Sequence, residues 1–71
     1  MNEYQKSKKI SAGPVFLRNE LEETVLRVTP EGKFFVRYPG ETEYEVEHST
    51  KMATDAWIAW IEITKEEYES Y

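Results

Sequence analysis

Three short segments rich in β-branched and aromatic residues constrain the fold of this chain most strongly. They are residues 24–28 (TVLRV), 33–38 (KFFVRY) and 42–48 (TEYEVEH), and the turns between them contain Pro30-Glu31-Gly32 and Pro39-Gly40. Segments of this composition, bounded by proline and glycine, are typical of strands joined by tight hairpins. The sequence therefore predicts an antiparallel β-meander, preceded by a short strand at residues 15–18 (VFLR).

The turns also predict how these strands pair. A three-residue loop with Gly32 at the position that needs a left-handed backbone fixes the register of the first hairpin, and a similar loop fixes that of the second. The predicted pairs on one face are Val28 with Phe34, Leu26 with Val36, Phe34 with Val46 and Val36 with Tyr44. This face is apolar, whereas a slip by one residue would place glutamates against the apolar side chains.

The last third of the chain allows two interpretations. Ser49 or Thr50 could cap a helix over about residues 50–59, because apolar residues recur there at helical spacing, followed by an extended piece at 60–63. The same segment, AWIAWIEI, could instead form a fifth strand. Thr64 and Glu67 have the spacing of a capping box, which predicts that a short helix begins there.

These patterns predict an α+β fold. Its expected form is a small antiparallel meander of three to four strands, packed by one helix and a short C-terminal helical turn. The alternative is an all-β five-stranded barrel of the SH3-like or OB-like type. A chain of 71 residues is long enough for one domain with a small core.

The N-terminal residues have a different composition. Residues 1–13 are polar, contain three lysines and end at Gly13-Pro14, so the sequence predicts a flexible basic arm, with residues 14–71 as a single small globular domain. No apolar run follows the lysines, and the longest strictly apolar run, AWIAWI, is too short to span a bilayer. The chain also has no cysteine, which favours a reducing compartment. We therefore expect a cytoplasmic protein.

Acidic residues recur at every second position from the turn before the third segment into that segment, at Glu41, Glu43, Glu45 and Glu47. In a strand, such carboxylates lie roughly 7 Å apart on one face, a repeat similar to that of phosphates along a nucleic-acid strand. They could therefore form a surface for a basic partner. They could equally be the solvated face of a one-sided sheet, with Arg37 opposite Glu43 and Lys33 opposite Glu47, and alternation of this kind favours the second interpretation.

Aromatic residues supply the other candidate contacts. Phe35 lies on the same predicted outer face as the glutamates, where an uncovered ring could contact a partner. Trp57 and Trp60 have helical spacing and are expected to contribute to the core, but together with Ile58 and Ile61 they cover too wide an arc for one buried helix face. We expect part of this surface to contact something else, for which a homodimer is the favoured explanation.

The sequence offers little for catalysis. His48 is the only histidine, and no cysteine or assigned carboxylate accompanies it, so neither a metal site nor a catalytic triad is predicted. The three glycines lie near prolines in turns and not in a phosphate-binding loop. We therefore predict no enzymatic activity, no cofactor and no metal.

The predicted function is that of a small non-catalytic module that contacts another protein. Its contact residues would lie on the acidic sheet face, at Phe35, Glu43, Glu45 and Glu47, or in the tryptophan segment, at Trp57 and Trp60. A small, acidic, cysteine-free chain of this kind is similar in general appearance to accessory or inhibitor proteins of bacteriophages and other mobile elements. Two alternatives remain open: a nucleic-acid-binding protein that uses Lys6, Lys8 and Lys9 of the basic arm, and a homodimer that binds a small ligand.

Overall fold

The structure is a computed structural model and describes residues 1–71. Its framework is one five-stranded antiparallel sheet. Its strands are β1 (Val15–Asn19), β2 (Thr24–Val28), β3 (Phe34–Arg37), β4 (Tyr44–Val46) and β5 (Ile61–Glu62), and its helices are α1 (Glu3–Ser11), α2 (Lys51–Ala59) and α3 (Lys65–Glu69). The order across the sheet is β4-β3-β2-β1-β5. The predicted α+β fold is confirmed. The sheet is open, so the alternative of a closed all-β barrel is wrong.

The strand register agrees with the prediction. Val28 lies opposite Phe34 and Leu26 opposite Val36, while Phe34 and Val36 lie opposite Val46 and Tyr44. In the loop between β2 and β3, Gly32 has a φ of 85°, and its N–H donates to the carbonyl of Thr29. This left-handed conformation is the one for which glycine was needed in the predicted loop.

The main core lies between the apolar face of the sheet and two helices. Leu17, Leu26, Val28 and Val36 are fully buried there, with Ala53 and Ala56 of α2 packed against them. Two alanines let the helix approach the sheet closely. The predicted helix is α2, and its N-cap is Thr50, whose hydroxyl accepts from the N–H of Ala53. The extended piece after it is β5, which pairs with β1.

The N-terminal segment is helical where the sequence predicts a flexible arm. Asn2 caps α1 in a reciprocal capping box: its side chain accepts from the N–H of Gln5, and the Gln5 side chain accepts from the N–H of Asn2. Ile10 joins the core, and Lys6 is only 5% exposed. The segment has only one core apolar residue, so its helix depends on the cap and on contacts with the rest of the fold, which sequence periodicity does not reveal.

Helix α3 covers part of the other face of the sheet. Tyr68 is buried there, with its ring centre 5.1 Å from that of Phe16, and Val25 on the same face of the sheet is fully buried. Arg37 fixes the end of the helix by donating to the carbonyls of Tyr68 and Glu69. The predicted solvated outer face is therefore limited to the β3–β4 half of the sheet. None of the three helices has the length and hydropathy that a membrane crossing requires.

Candidate protein-binding surfaces

Glu45 in β4 and its neighbours Glu43 and Glu47 differ in their surroundings. Glu43 accepts two hydrogen bonds from the Arg27 guanidinium, at 2.6 and 3.2 Å, and a third from the Tyr68 hydroxyl. The Arg27 hydrogen bonds are the main reason that the pKa of Glu43 lies below its ordinary value, and partial burial opposes this effect. Glu43 therefore ties the β4 side of the sheet to β2 and α3.

Phe35 is covered by the side chain that reaches Glu43. In the sheet, Arg27 lies opposite Phe35 on one side and Glu45 lies opposite it on the other. The Arg27 guanidinium stacks over the Phe35 ring, 4.3 Å from its centre. The ring is therefore half-buried under an arginine, and what this face presents to solvent is an arginine–aromatic stack beside a carboxylate.

Two of the predicted contact residues carry free carboxylates. Glu45 and Glu47 are exposed, and neither side chain forms an ion pair or a hydrogen bond within the chain. The predicted pairing of Lys33 with Glu47 is absent. The predicted pairing of Arg37 with Glu43 is also absent, because Arg37 instead donates to the carbonyl of Glu41 and to the two carbonyls at the end of α3.

The two tryptophans form a junction between α1, α2 and β5. Their rings meet edge to face, with centres 5.3 Å apart. The Trp57 Nε1–H donates to the carboxylate of Glu3, and the Trp60 Nε1–H donates to that of Glu62. Both indole N–H groups are therefore bonded within the chain, and their main visible role is to join three elements of the fold.

Lys6 lies at the centre of this tryptophan junction. Its Nζ donates to the carbonyl of Trp57 at 2.7 Å and lies 5.7 Å from the centres of both indole rings. The last carbonyls of a helix lack partners within the helix and carry its negative dipole end, so a buried ammonium is well compensated there. This burial is incompatible with Lys6 serving as part of a free basic arm, and Lys9 is paired with Glu62 at 3.0 Å.

A shallow groove lies beside the tryptophan junction. Its apolar floor is formed by Ile10, Phe34 and Trp57, with Glu3, His48 and Thr54 at its rim and a volume of about 320 Å³. His48, the only histidine of the chain, therefore lines this groove. A second, open cleft of about 590 Å³ lies beside α3, where Arg27 and Arg37 are already occupied by the contacts described above.

Sequence reasoning missed four residues that organise these surfaces, namely Glu3, Arg27, Glu62 and Tyr68, and it gave Lys6 a different role, as part of the basic arm. Their partners are distant in sequence, so no local spacing identifies them. Arg27 is the exception in part, because the predicted register already sets it opposite Phe35 on the face that carries the glutamates.

No protein-family model matches the chain. No curated protein is significantly similar to it. Among solved structures, the chain is similar to a chain in the crystal structure of the complex between the Type VI effector Tas1 and its immunity protein. The two share 30% identity, with 87% of this chain and 86% of the other covered and a TM-score of 0.72.

The fold, the surfaces and this similarity are together consistent with a small protein-binding inhibitor module. Identity at this level over most of both chains goes beyond a shared fold. The chain belongs to the same family as the matched chain of that complex.

Proposed function

We propose that this chain is an immunity protein, which binds a Type VI effector and neutralises it without chemistry of its own. The observation that carries the proposal is the similarity over most of the chain to a chain of the effector–immunity complex, at 30% identity. The match covers nearly equal shares of the two chains, so the matched chain has about the same length as this one. A chain this small suits an inhibitor that acts by contact. The proposal makes the predicted inhibitor role specific, because it names a Type VI effector as the target. It replaces the expected link to phage or mobile-element proteins.

Charge supports a basic binding surface on the effector. The chain has a net charge of −5, and residues 41–71 contain nine acidic residues against two lysines. Opposite charges across an interface raise the association rate and disfavour wrong partners. Glu45 and Glu47 are suited to such a contact because no group of this chain neutralises them.

We place the effector on the β3–β4 half of the outer sheet face, over Phe35, Glu45 and Glu47, with Glu43 holding this region in position. The tryptophan segment is the less suitable surface, because both indole N–H groups and the ammonium of Lys6 are bonded inside the fold. Trp57 and Trp60 would then act through stability and through the groove that Trp57 lines.

The experiment is a test of growth. If the gene beside that of this chain encodes a toxin, that toxin is the candidate effector, and it is expressed in bacteria with and without the chain. Both are produced in the cytoplasm, where the cysteine-free composition leads us to expect the chain. We expect the chain to restore growth and to co-elute with the effector in size-exclusion chromatography, where the chain alone also reveals any homodimer. Arrested growth despite abundant folded chain, or a neighbouring gene that encodes no toxin, would contradict the proposal.

A further inference from the structure

The outer edge of β4 has no partner in the fold. The sheet ends at β4, which pairs only with β3. In an antiparallel pair, successive residues direct their backbone groups alternately toward and away from the neighbouring strand. Outside the ladder with β3, no hydrogen bond reaches the backbone of residues 44–46. In this register Tyr44 and Val46 face β3, so the N–H and C=O of Glu45 point away from it and are unpaired.

The opposite edge of the sheet is different. Strand β5 has two residues, and side chains from other elements converge on it. The carboxylate of Glu62 accepts from Lys9 of α1 and from the indole of Trp60, which fixes this strand against the helices. An exposed edge is a template for pairing with another chain, and natural proteins usually shorten or cover such edges. Here one edge is short and held by α1, while the other is open.

The side chains along β4 define what could pair with it. On the core side, Tyr44 is 48% exposed and Val46 is half-buried, so an added strand would find apolar neighbours there. On the outer side, the same strand would lie beside the free carboxylates of Glu45 and Glu47. Because side chains alternate between the two faces of a sheet, a matching strand would alternate apolar and basic residues.

We propose that an extended segment of the effector, with alternating apolar and basic residues, adds to β4 as a sixth strand. The inference rests on the proposed function. Strand addition draws affinity from backbone hydrogen bonds and specificity from the flanking side chains. The glutamates then have two effects: they attract a basic strand, and they repel acidic strands and further copies of this acidic chain, which would otherwise pair at the same edge.

Hydrogen exchange on the complex with the growth-arresting effector tests the inference directly. We expect the amide of Glu45, which points away from β3, to exchange at least about tenfold more slowly in the complex than in the free chain, because it becomes hydrogen-bonded. The amides of β5 serve as the internal control and should change little. Binding that leaves the Glu45 amide unprotected would contradict strand addition while leaving the immunity role intact.

A synthetic peptide provides a test that does not depend on the effector. A peptide of about ten residues that alternates lysine and valine has the pattern of the proposed strand. The control peptide has the same composition arranged as a block of lysines and a block of valines. We expect the alternating peptide to bind about tenfold more tightly and to protect the amide of Glu45. Equal binding of the two peptides, or no protection of this strand, would overturn the inference even if the effector binds.

Discussion

The tryptophan junction and the β4 edge both have residue types that are common in interfaces, yet the structure uses them differently. In the tryptophan junction, Trp57, Trp60 and Lys6 are all bonded to groups of the same chain. Along β4, backbone groups and the carboxylate of Glu45 are left without partners. From this comparison we expect a binding surface to be marked by the groups that the fold leaves unsatisfied more than by the presence of aromatic or charged residues.

The largest expected effect lies in the tryptophan junction. Trp57→Ala removes ring contacts with Phe34 and Trp60 and a hydrogen bond to Glu3, so we expect it to lower the free energy of unfolding by about 3 kcal/mol. Urea denaturation measures the change. Ile58→Ala on the same helix is the matched control, because Ile58 is 68% exposed, and its cost should stay below about 0.5 kcal/mol. Similar costs for the two variants would show that Trp57 is not structural.

The next effect separates two glutamates of the same hairpin. Glu43→Gln leaves Arg27 without its ionised partner and weakens the bond from Tyr68, so we expect a loss of about 1–2 kcal/mol in unfolding free energy. Glu45→Gln should change it by less than about 0.5 kcal/mol, because that carboxylate has no partner. Equal losses in thermal and urea unfolding would remove the distinction between a structural and a free carboxylate.

The same distinction predicts a dependence on pH. The pKa of Glu43 is lowered, first by the Arg27 hydrogen bonds, from an ordinary value of 4.5. A carboxyl whose pKa is lower in the folded state stabilises the fold above its ordinary pKa and loses that contribution as the pH falls through the folded value. The stability difference between the native chain and Glu43→Gln should therefore be constant above about pH 5 and shrink below about pH 4. A difference that stays constant down to pH 3 would exclude this linkage.

The smallest expected effect concerns the turn between β1 and β2. Glu23 has a φ of 52°, a left-handed conformation that glycine adopts at little cost. Glu23→Gly should raise the free energy of unfolding by about 0.5 kcal/mol, because glycine adopts this conformation without the steric cost that a side chain brings. Glu22→Gly, one residue earlier, is the control and should be neutral or destabilising. A gain from both variants would attribute the effect to lost charge.

Much of the sheet could be predicted because its determinants are local. Alternating apolar residues and a glycine at the left-handed turn position were enough to pair Val28 with Phe34 and to set Glu45 opposite Phe35. Helix α1 was not predicted, because its stability depends on a cap at Asn2 and on tertiary contacts of Ile10 and Lys6.

The candidate site could be predicted only in part for the same physical reason. The row of glutamates is visible in the sequence, but which of them is free depends on distant partners. Arg27 crosses β3 to reach Glu43, and Tyr68 reaches it from α3, so neither contact follows from the spacing within β4. A bonded and a free carboxylate look identical in sequence.

The most direct test of the central claim is the affinity of the effector for the double variant E45K/E47K, measured by calorimetry beside the control E20K/E66K. The control makes the same change in net charge at exposed glutamates away from β4 that also lack an ion pair. We predict a loss of affinity of about tenfold or more for E45K/E47K, and much less for the control. E45K/E47K should be as stable as the native chain, and the control slightly less stable, because Glu66 lies in the first turn of α3. Equal affinities for the two variants would contradict the assignment of the effector to the β4 side of the sheet.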